Sequence, residues 1–119
     1  MWELAFTLVD ELKGSSNETI ATKYRKVHKK LDACVNQDKE QPFMKLAKKC
    51  GMKSFLGETG TSHHNYDFRL PDDTALADTK HTFCSHGSAD TMPPKAKKKI
   101  LKCIVRIMEY DKSLQDPEA

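Results

Sequence analysis

The residues of this chain best suited to chemistry are the histidines and the cysteine in its third quarter. Five such side chains lie close together in the sequence: His63, His64, His81, Cys84 and His86. Imidazole nitrogen and thiolate sulfur are ligands that zinc prefers, so this group is a candidate metal site. Its spacing matches no standard zinc finger, because Cys84 and His86 are too close to form either arm. Solvated loop histidines are the competing interpretation, and we expect no cofactor.

The same group places a thiol near imidazoles, which is the pairing that nucleophilic catalysis uses. Cys84 lies between His81 and His86 in the sequence. Nothing in the sequence orients a base toward the thiol or indicates a lowered thiol pKa. The chain also has no phosphate-binding loop, paired-carboxylate site or serine elbow. We therefore predict that the protein is not an enzyme.

A second group of candidate residues is cationic. Lysines crowd into positions 23–30, 45–53 and 95–102, although the net charge is only +3. Phosphate recognition needs several cations on one face, which makes these side chains a candidate nucleic-acid surface. Solvated helix faces are the competing interpretation, and the modest net charge favours it. The candidates are Lys23, Arg25, Lys26, Lys30, Lys48 and Lys98.

Most of these cationic side chains lie in segments that the sequence predicts to be helical. The clearest helical pattern lies between Ile20 and Val35. Its apolar residues recur at steps of four and three, which is the period of one helix face. Similar stripes predict helices over 2–13, 42–50 and 95–114. Leu4 and Leu114 extend two of these stripes, so both are expected to face inward.

Two glycines end predicted helices, and one acid interrupts the apolar face of another. Gly14 and Gly51 end the first and third helices, where a left-handed cap is common. In the last helix, Asp111 is the single interruption of an otherwise apolar inner face. Cys34, Cys50 and Cys103 continue apolar stripes and are predicted to be reduced core thiols, whereas Cys84 is expected to be accessible.

Helical periodicity is lost between positions 57 and 94. Tyr66, Phe68 and Leu70 alternate with polar residues, which predicts a short strand that Pro71 stops. The remainder is polar, and we predict that 57–94 is an irregular or mobile insertion in a single domain covering 1–119. The fold class predicted is mainly α, a small helical bundle with one short strand or hairpin element.

Composition limits the cellular setting. Hydrophobic residues make up 38% and charged residues 31%, which is typical of a folded, well-charged domain rather than a disordered one. No apolar run is long enough to cross a bilayer, and the first residues lack a basic start. We therefore expect a cytoplasmic or nuclear protein that has no membrane partner.

The motifs also follow one another in a recognisable order. An amphipathic helix and a polar turn precede Lys23-Tyr24-Arg25-Lys26-Val27, and then come Phe43, Gly51, Leu56, Gly60 and the strand at 66–71. This order resembles the PUB (or PUG) domain, the helical module of peptide N-glycanase and several ubiquitin-system adaptors. The chain departs from that family at Glu40, where an asparagine is usual.

The resemblance implies a protein-interaction (adaptor) module. Its ligand would be the C-terminal peptide tail of the ubiquitin-system AAA ATPase, bound in a shallow groove near the turn at 51–60. Apolar contacts would come from Phe43, Leu46, Phe55 and Leu56, and contacts with acidic groups from Lys45, Lys48 and Lys49. The alternative is a helical nucleic-acid-binding domain that uses the lysine-rich faces.

Overall fold

The computed structural model describes residues 1–54, 63–84 and 91–115. In these ranges the chain forms four helices and one small sheet: α1 Trp2–Lys13, α2 Glu18–Cys34, α3 Glu40–Cys50, β1 Lys53–Ser54, β2 His63–Asp67, β3 His81–Cys84 and α4 Pro94–Gln115. The predicted mainly helical fold with a small strand element is confirmed. No described helix has the length and apolar character to cross a membrane.

The start of α2 is fixed by a side-chain cap. The carboxamide oxygen of Asn17 accepts hydrogen bonds from the backbone N–H groups of Thr19 and Ile20, at 3.0 and 3.2 Å. These bonds satisfy two donors that the first turn of a helix leaves without an intrahelical partner. Helix α2 accordingly begins at Glu18, directly after the Asn17 cap.

The two glycines that end helices behave differently. Gly51, at which the third helix was predicted to end, has φ +112°, the left-handed conformation. Gly14 has φ −86°, so the predicted left-handed cap is wrong for α1. The backbone N–H of Gly14 instead reaches the carbonyl of Glu11 at 3.1 Å, a tightened last turn that any residue could adopt.

The core is formed where α2 packs between α1 and α3, with α4 lying against α1 and α3. Burying the apolar stripes of the four helices supplies most of the favourable free energy of folding, because helices of this length are only marginally stable alone. Every predicted inward residue of α3 is fully buried, and so are the central apolar residues of α2 and α4. Examples are Tyr24, Val27, Leu31, Phe43, Leu46, Ile104 and Ile107.

Two predicted core leucines are on the surface instead. Leu4 is 46% exposed in α1, and Leu114 is 58% exposed near the end of α4. Both lie at the margins of apolar stripes, where a helix has turned partly away from the core. The prediction that they face inward is therefore wrong, and each lines a groove described below.

The sheet is antiparallel, in the order β1, β2, β3. Ser54 pairs with Tyr66, and Tyr66 pairs in turn with His81 on the other side. Two strands thus lie inside the segment 57–94, which was expected to be irregular apart from one short strand over 66–70. The observed β2 begins earlier, at His63, and ends at Asp67, so it overlaps the predicted strand only at Tyr66 and Asp67. β3 was not predicted because four residues carry too little alternation to be distinguished from a loop.

The segment 68–80 leads from β2 to β3 and is held by its own hydrogen bonds. The backbone N–H of Leu76 donates to the Phe68 carbonyl at 2.9 Å, and Arg69 forms an isolated bridge with Ala75. The Thr79 side chain is fully buried; its hydroxyl donates to the Leu76 carbonyl at 2.7 Å and accepts from the Phe68 N–H at 3.2 Å. The segment therefore presents a fixed surface next to α4.

Candidate functional site

One of the buried acids in the described structure is Asp111, which lies on the inner face of α4. Lys23 Nζ donates to Asp111 Oδ2 at 2.8 Å, and the Tyr24 hydroxyl donates to the same oxygen. Asp111 is 5% exposed and Tyr24 is fully buried. A buried carboxylate needs such donors, because desolvation is costly when it is not compensated.

Tyr24 is suited to this role because it remains a donor. Burial raises the pKa of its hydroxyl well above the ordinary value, and the nearby Asp111 charge raises it further. The Lys23 ammonium also lies 5.1 Å from the centre of the Tyr24 ring and 5.9 Å from that of Phe68. These distances allow a cation–π contribution. The Lys23-Tyr24 pair thus joins α2 to the C-terminal half of α4.

Phe68 and Tyr110 form an aromatic wall beside this cluster. Their ring centres are 5.8 Å apart in an edge-on arrangement, and both side chains are half-buried. Edge-on contact is a favourable geometry for aromatic rings. The exposed edges of the two rings face a surface depression in which Asp111 also takes part.

The position of Phe68 depends on Gly51. A Cβ atom at residue 51 would lie 2.9 Å from Phe68 Cε2, closer than real Cβ atoms approach. The left-handed backbone at Gly51 independently favours glycine. The end of α3 is thus shaped so that the Phe68 ring can lie directly against it.

We call the depression the Phe68 groove. It has a volume of about 920 Å³ and lies between β1, the start of the segment 68–80 and the end of α4. That volume is comparable with ligand pockets, which span about 300–1,000 Å³. Its lining combines the apolar residues Phe68, Leu70, Pro71, Tyr110 and Leu114 with the cations Lys53 and Arg69 and the acids Asp73 and Asp111.

The two cations of the Phe68 groove are held differently. Arg69 Nε lies 3.2 Å from Oδ1 of the fully buried Asp67, and Arg69 Nη1 donates to the Asp73 carbonyl at 2.6 Å. Lys53 is exposed and has no ion pair within 4.0 Å among the described residues. Lys53 can therefore turn toward an acidic ligand, whereas Arg69 is fixed in place.

The described residues that were predicted to bind a peptide do not line this groove. Phe43 and Leu46 are fully buried, so neither can make the surface contacts predicted for it. Lys45, Lys48 and Lys49 are exposed on α3, and Lys48 Nζ lies 5.8 Å from the centre of the Tyr66 ring. None of these five residues lines the groove. Phe55 and Leu56 lie outside the described residues.

The predicted nucleic-acid residues are distributed over three helices, α2, α3 and α4. Lys23 is engaged by Asp111, and Arg25 lies 3.7 Å from Glu18. Lys98 is exposed on α4, about 20 Å along the helix axis from Asp111. The remaining candidates are split between α2, which carries exposed Lys26 and half-buried Lys30, and α3, which carries Lys48.

Of the predicted metal ligands, the structure describes the side chain of His81 alone. His81 is 6% exposed, and its ring is 4.5 Å from that of Phe83. Neither ring nitrogen has a hydrogen-bond partner among the residues that the structure describes. Burial lowers the pKa of His81 to about 4, and the nearby Lys99 charge acts in the same direction.

For the other predicted metal ligands, the structure describes the backbone at most. His63 and Cys84 are paired residues at one end of the β2–β3 ladder, and His64 pairs with Phe83. His86 lies outside the described residues. No group of three His, Cys, Asp or Glu side chains close enough to bind a metal occurs among the residues that the structure describes.

Sequence reasoning missed Asp111 and the Phe68–Tyr110 wall as site residues. The sequence did contain a signal for Asp111, because a single acid on an apolar helix face usually has a buried partner. The sequence contained no signal for the aromatic wall, because Phe68 and Tyr110 come from distant segments. Comparison of the chain with protein-family models, curated proteins and solved structures yields no match.

Proposed function

We propose that this chain is a protein-interaction module that binds a short peptide in the Phe68 groove. The observation that carries the proposal is the groove itself, in which half-buried aromatic rings and exposed Leu114 lie beside cationic Lys53 and Arg69. Such a surface can bury an apolar side chain of a ligand while pairing with its acidic groups. Peptide binding of this kind requires no cofactor.

The resemblance to PUB domains suggests the identity of the peptide. It would be the C-terminal tail of the ubiquitin-system AAA ATPase, encountered in the cytoplasm or nucleus. Gly51 supports this proposal, because the glycine that carries part of the resemblance is also the residue that admits Phe68. The lysines of α3 would then attract the tail over a longer range rather than line its binding site.

Titration with a fluorescein-labelled tail peptide tests the proposal. Micromolar binding is expected, and Leu114→Ala and Lys53→Glu should each weaken it. Matched controls are Val35→Ala, an exposed apolar residue at the end of α2, and Lys98→Glu, since neither lines the groove. Equal losses in the controls, or no binding of any acidic C-terminal peptide, would exclude the Phe68 groove as a peptide site.

Nucleic-acid binding through the lysine faces is the alternative proposal. It is supported by the exposed side chains of Lys95, Lys98, Lys99 and Lys102 on α4. An oligonucleotide ligand should lose affinity steeply with salt, because each neutralised phosphate releases counterions. Lys98→Glu should then weaken oligonucleotide binding, while Leu114→Ala leaves it unchanged. That pattern would favour the alternative over the peptide module.

A further inference from the structure

A second groove lies between α1, α4 and the later part of the segment 68–80. It has a volume of about 940 Å³ and shares no lining residue with the Phe68 groove in the described structure. We call it the Leu4 groove after its most exposed leucine. Residues from three elements converge on it: Leu4 from α1, Leu76 and Lys80 from the connecting segment, and Val105 from α4.

The Leu4 groove has an apolar base that water reaches. Leu4 is 46% exposed and Met1, beside it, is 48% exposed, whereas Val105 is buried. Single exposed apolar side chains are ordinary on a protein surface. Here two of them adjoin each other and a concave surface, which is the arrangement found where a partner protein binds.

The cations of the groove form a row on α4. Lys99, Lys102 and Arg106 are spaced by three and four residues, so they lie on one face of the helix over about two turns. All three are exposed, and none has an ion pair within 4.0 Å among the described residues. Lys80 adds a fourth cation from the opposite wall, against two acids, Asp78 and Glu109.

The wall opposite α4 is joined to that helix by a hydrogen bond. Asp78 has φ +63°, and its carbonyl accepts a hydrogen bond from the buried Cys103 thiol on α4 at 3.2 Å. The neighbouring Thr79 is fully buried. The width of the groove is therefore fixed by contacts to α4 itself. A ligand would find the groove already formed, which reduces the entropic cost of binding.

We infer that the Leu4 groove binds an acidic amphipathic helix of a partner protein. A helix lying along α4 can place apolar residues against Leu4, Leu76 and Val105. Acids spaced by three and four residues on the same helix would then meet Lys99, Lys102 and Arg106. This is the helix-in-groove mode of recognition, with the row of cations setting the register and orientation.

The probe for the test is a designed, fluorescein-labelled helical peptide. It carries leucines at positions i, i+3, i+4 and i+7 and glutamates along both flanks of that stripe. Two control peptides have lysine in place of every glutamate, or the same composition in scrambled order. The full chain is titrated by fluorescence anisotropy, and the site is mapped by amide chemical shifts.

The designed peptide should bind, and the shifts should concentrate in 75–80 and 99–109. Lys102→Glu and Arg106→Glu should each weaken binding about fivefold. Leu4→Ser should weaken it as well. Lys29→Glu, a charge reversal on the exposed face of α2, should have no effect. Circular dichroism of each variant excludes loss of fold as the cause.

Several results would overturn the inference. One is equal binding of the scrambled or lysine-containing peptide, and another is a peptide site that the three groove variants do not affect. A third is displacement of the peptide by phosphatidylserine vesicles or an oligonucleotide at matched charge, which would make the groove a general anion surface. Leu114→Ala separates the two grooves, since it should weaken only ligands of the Phe68 groove.

Discussion

Lys23 and Asp111 lie 88 positions apart in the sequence, yet Lys23 Nζ contacts Asp111 Oδ2 at 2.8 Å. The Tyr24 hydroxyl donates to the same carboxylate from a fully buried position. One acid on α4 is thus bound by two consecutive residues of α2. The salt bridge between Lys23 and Asp111 therefore lies at the edge of the core, next to the Phe68 groove.

The first prediction concerns the Tyr24 hydroxyl. Tyr24→Phe should lower the free energy of unfolding by about 2 kcal/mol, because a buried carboxylate loses a donor. Urea denaturation measures the effect. Tyr110→Phe is the matched control; its hydroxyl has no hydrogen bond among the described residues, so it should change stability by less than about 0.5 kcal/mol. Equal effects at both tyrosines would contradict the prediction.

The second prediction concerns Gly51. Gly51→Ala should destabilise the protein by about 2 kcal/mol or more, since alanine is strained at φ +112° and its Cβ would overlap Phe68. Peptide binding in the Phe68 groove should weaken as the ring moves. Melting temperature and titration measure the two effects.

Gly14→Ala is the control for that experiment. Gly14 has φ −86°, and a Cβ there would lie 3.5 Å from its nearest neighbour, which is ordinary contact. The substitution should be neutral or stabilise by about 0.5 kcal/mol, because it restricts the unfolded chain. If the two alanine variants melted alike, the proposed role of Gly51 would be wrong.

The third prediction is a pH dependence that comes from His81. Its pKa is about 4 in the native state and 6.5 ordinarily, so between these values the unfolded chain binds a proton that the native chain excludes. Stability is therefore fully present above pH 6.5 and decreases as the pH falls toward 4. We expect a loss of about 1–2 kcal/mol between pH 7 and pH 5.

Denaturation curves at several pH values measure this loss. His81→Leu should flatten the profile over that range, because the titrating group is gone. A slope that persists in the His81→Leu variant would assign the pH dependence to other groups.

The fourth prediction concerns thiol reactivity. Burial raises the pKa of the Cys34 and Cys50 thiols to about 12 and that of Cys103 to about 11, so few thiolates exist at pH 8. Cys84, at the end of β3, was predicted to be accessible. Labelling with an aromatic disulfide reagent should modify one site quickly in the native protein and four after unfolding.

Cys84→Ser should abolish the fast labelling phase. Rapid modification of two or more sites would show that a core thiol is accessible. Absence of any free thiol in the unfolded protein would instead indicate disulfides and would remove the basis for the cytoplasmic or nuclear assignment.

The helices could be predicted because burial imposes a period of 3.6 residues on the sequence. Cys34, Cys50 and Cys103 were assigned to the core from that period alone, and each is buried. Burial is harder to predict at the margins of a stripe, because a rotation of the helix by a few tens of degrees about its axis exposes a residue there. Leu4 and Leu114 were misassigned for this reason.

The site could not be predicted in the same way. An aromatic residue that anchors a ligand and one that fills a core look alike in sequence, so Phe43 was placed in the groove and Phe68 was not. The wall of Phe68 and Tyr110 joins residues 42 positions apart and depends on tertiary packing. Local periodicity carries no information about such contacts.

The way α4 is fixed has a consequence for biosynthesis. One end is tied to Asp38 through Lys97, and the other to Lys23 and Tyr24 through Asp111. These contacts close loops of 59 to 88 residues, so they form after the local contacts among α1, α2 and α3. During translation, the apolar side of the first three helices therefore has no cover until residues 94–115 have left the ribosome. Until then this apolar surface stays exposed, which is the condition under which partly folded chains aggregate.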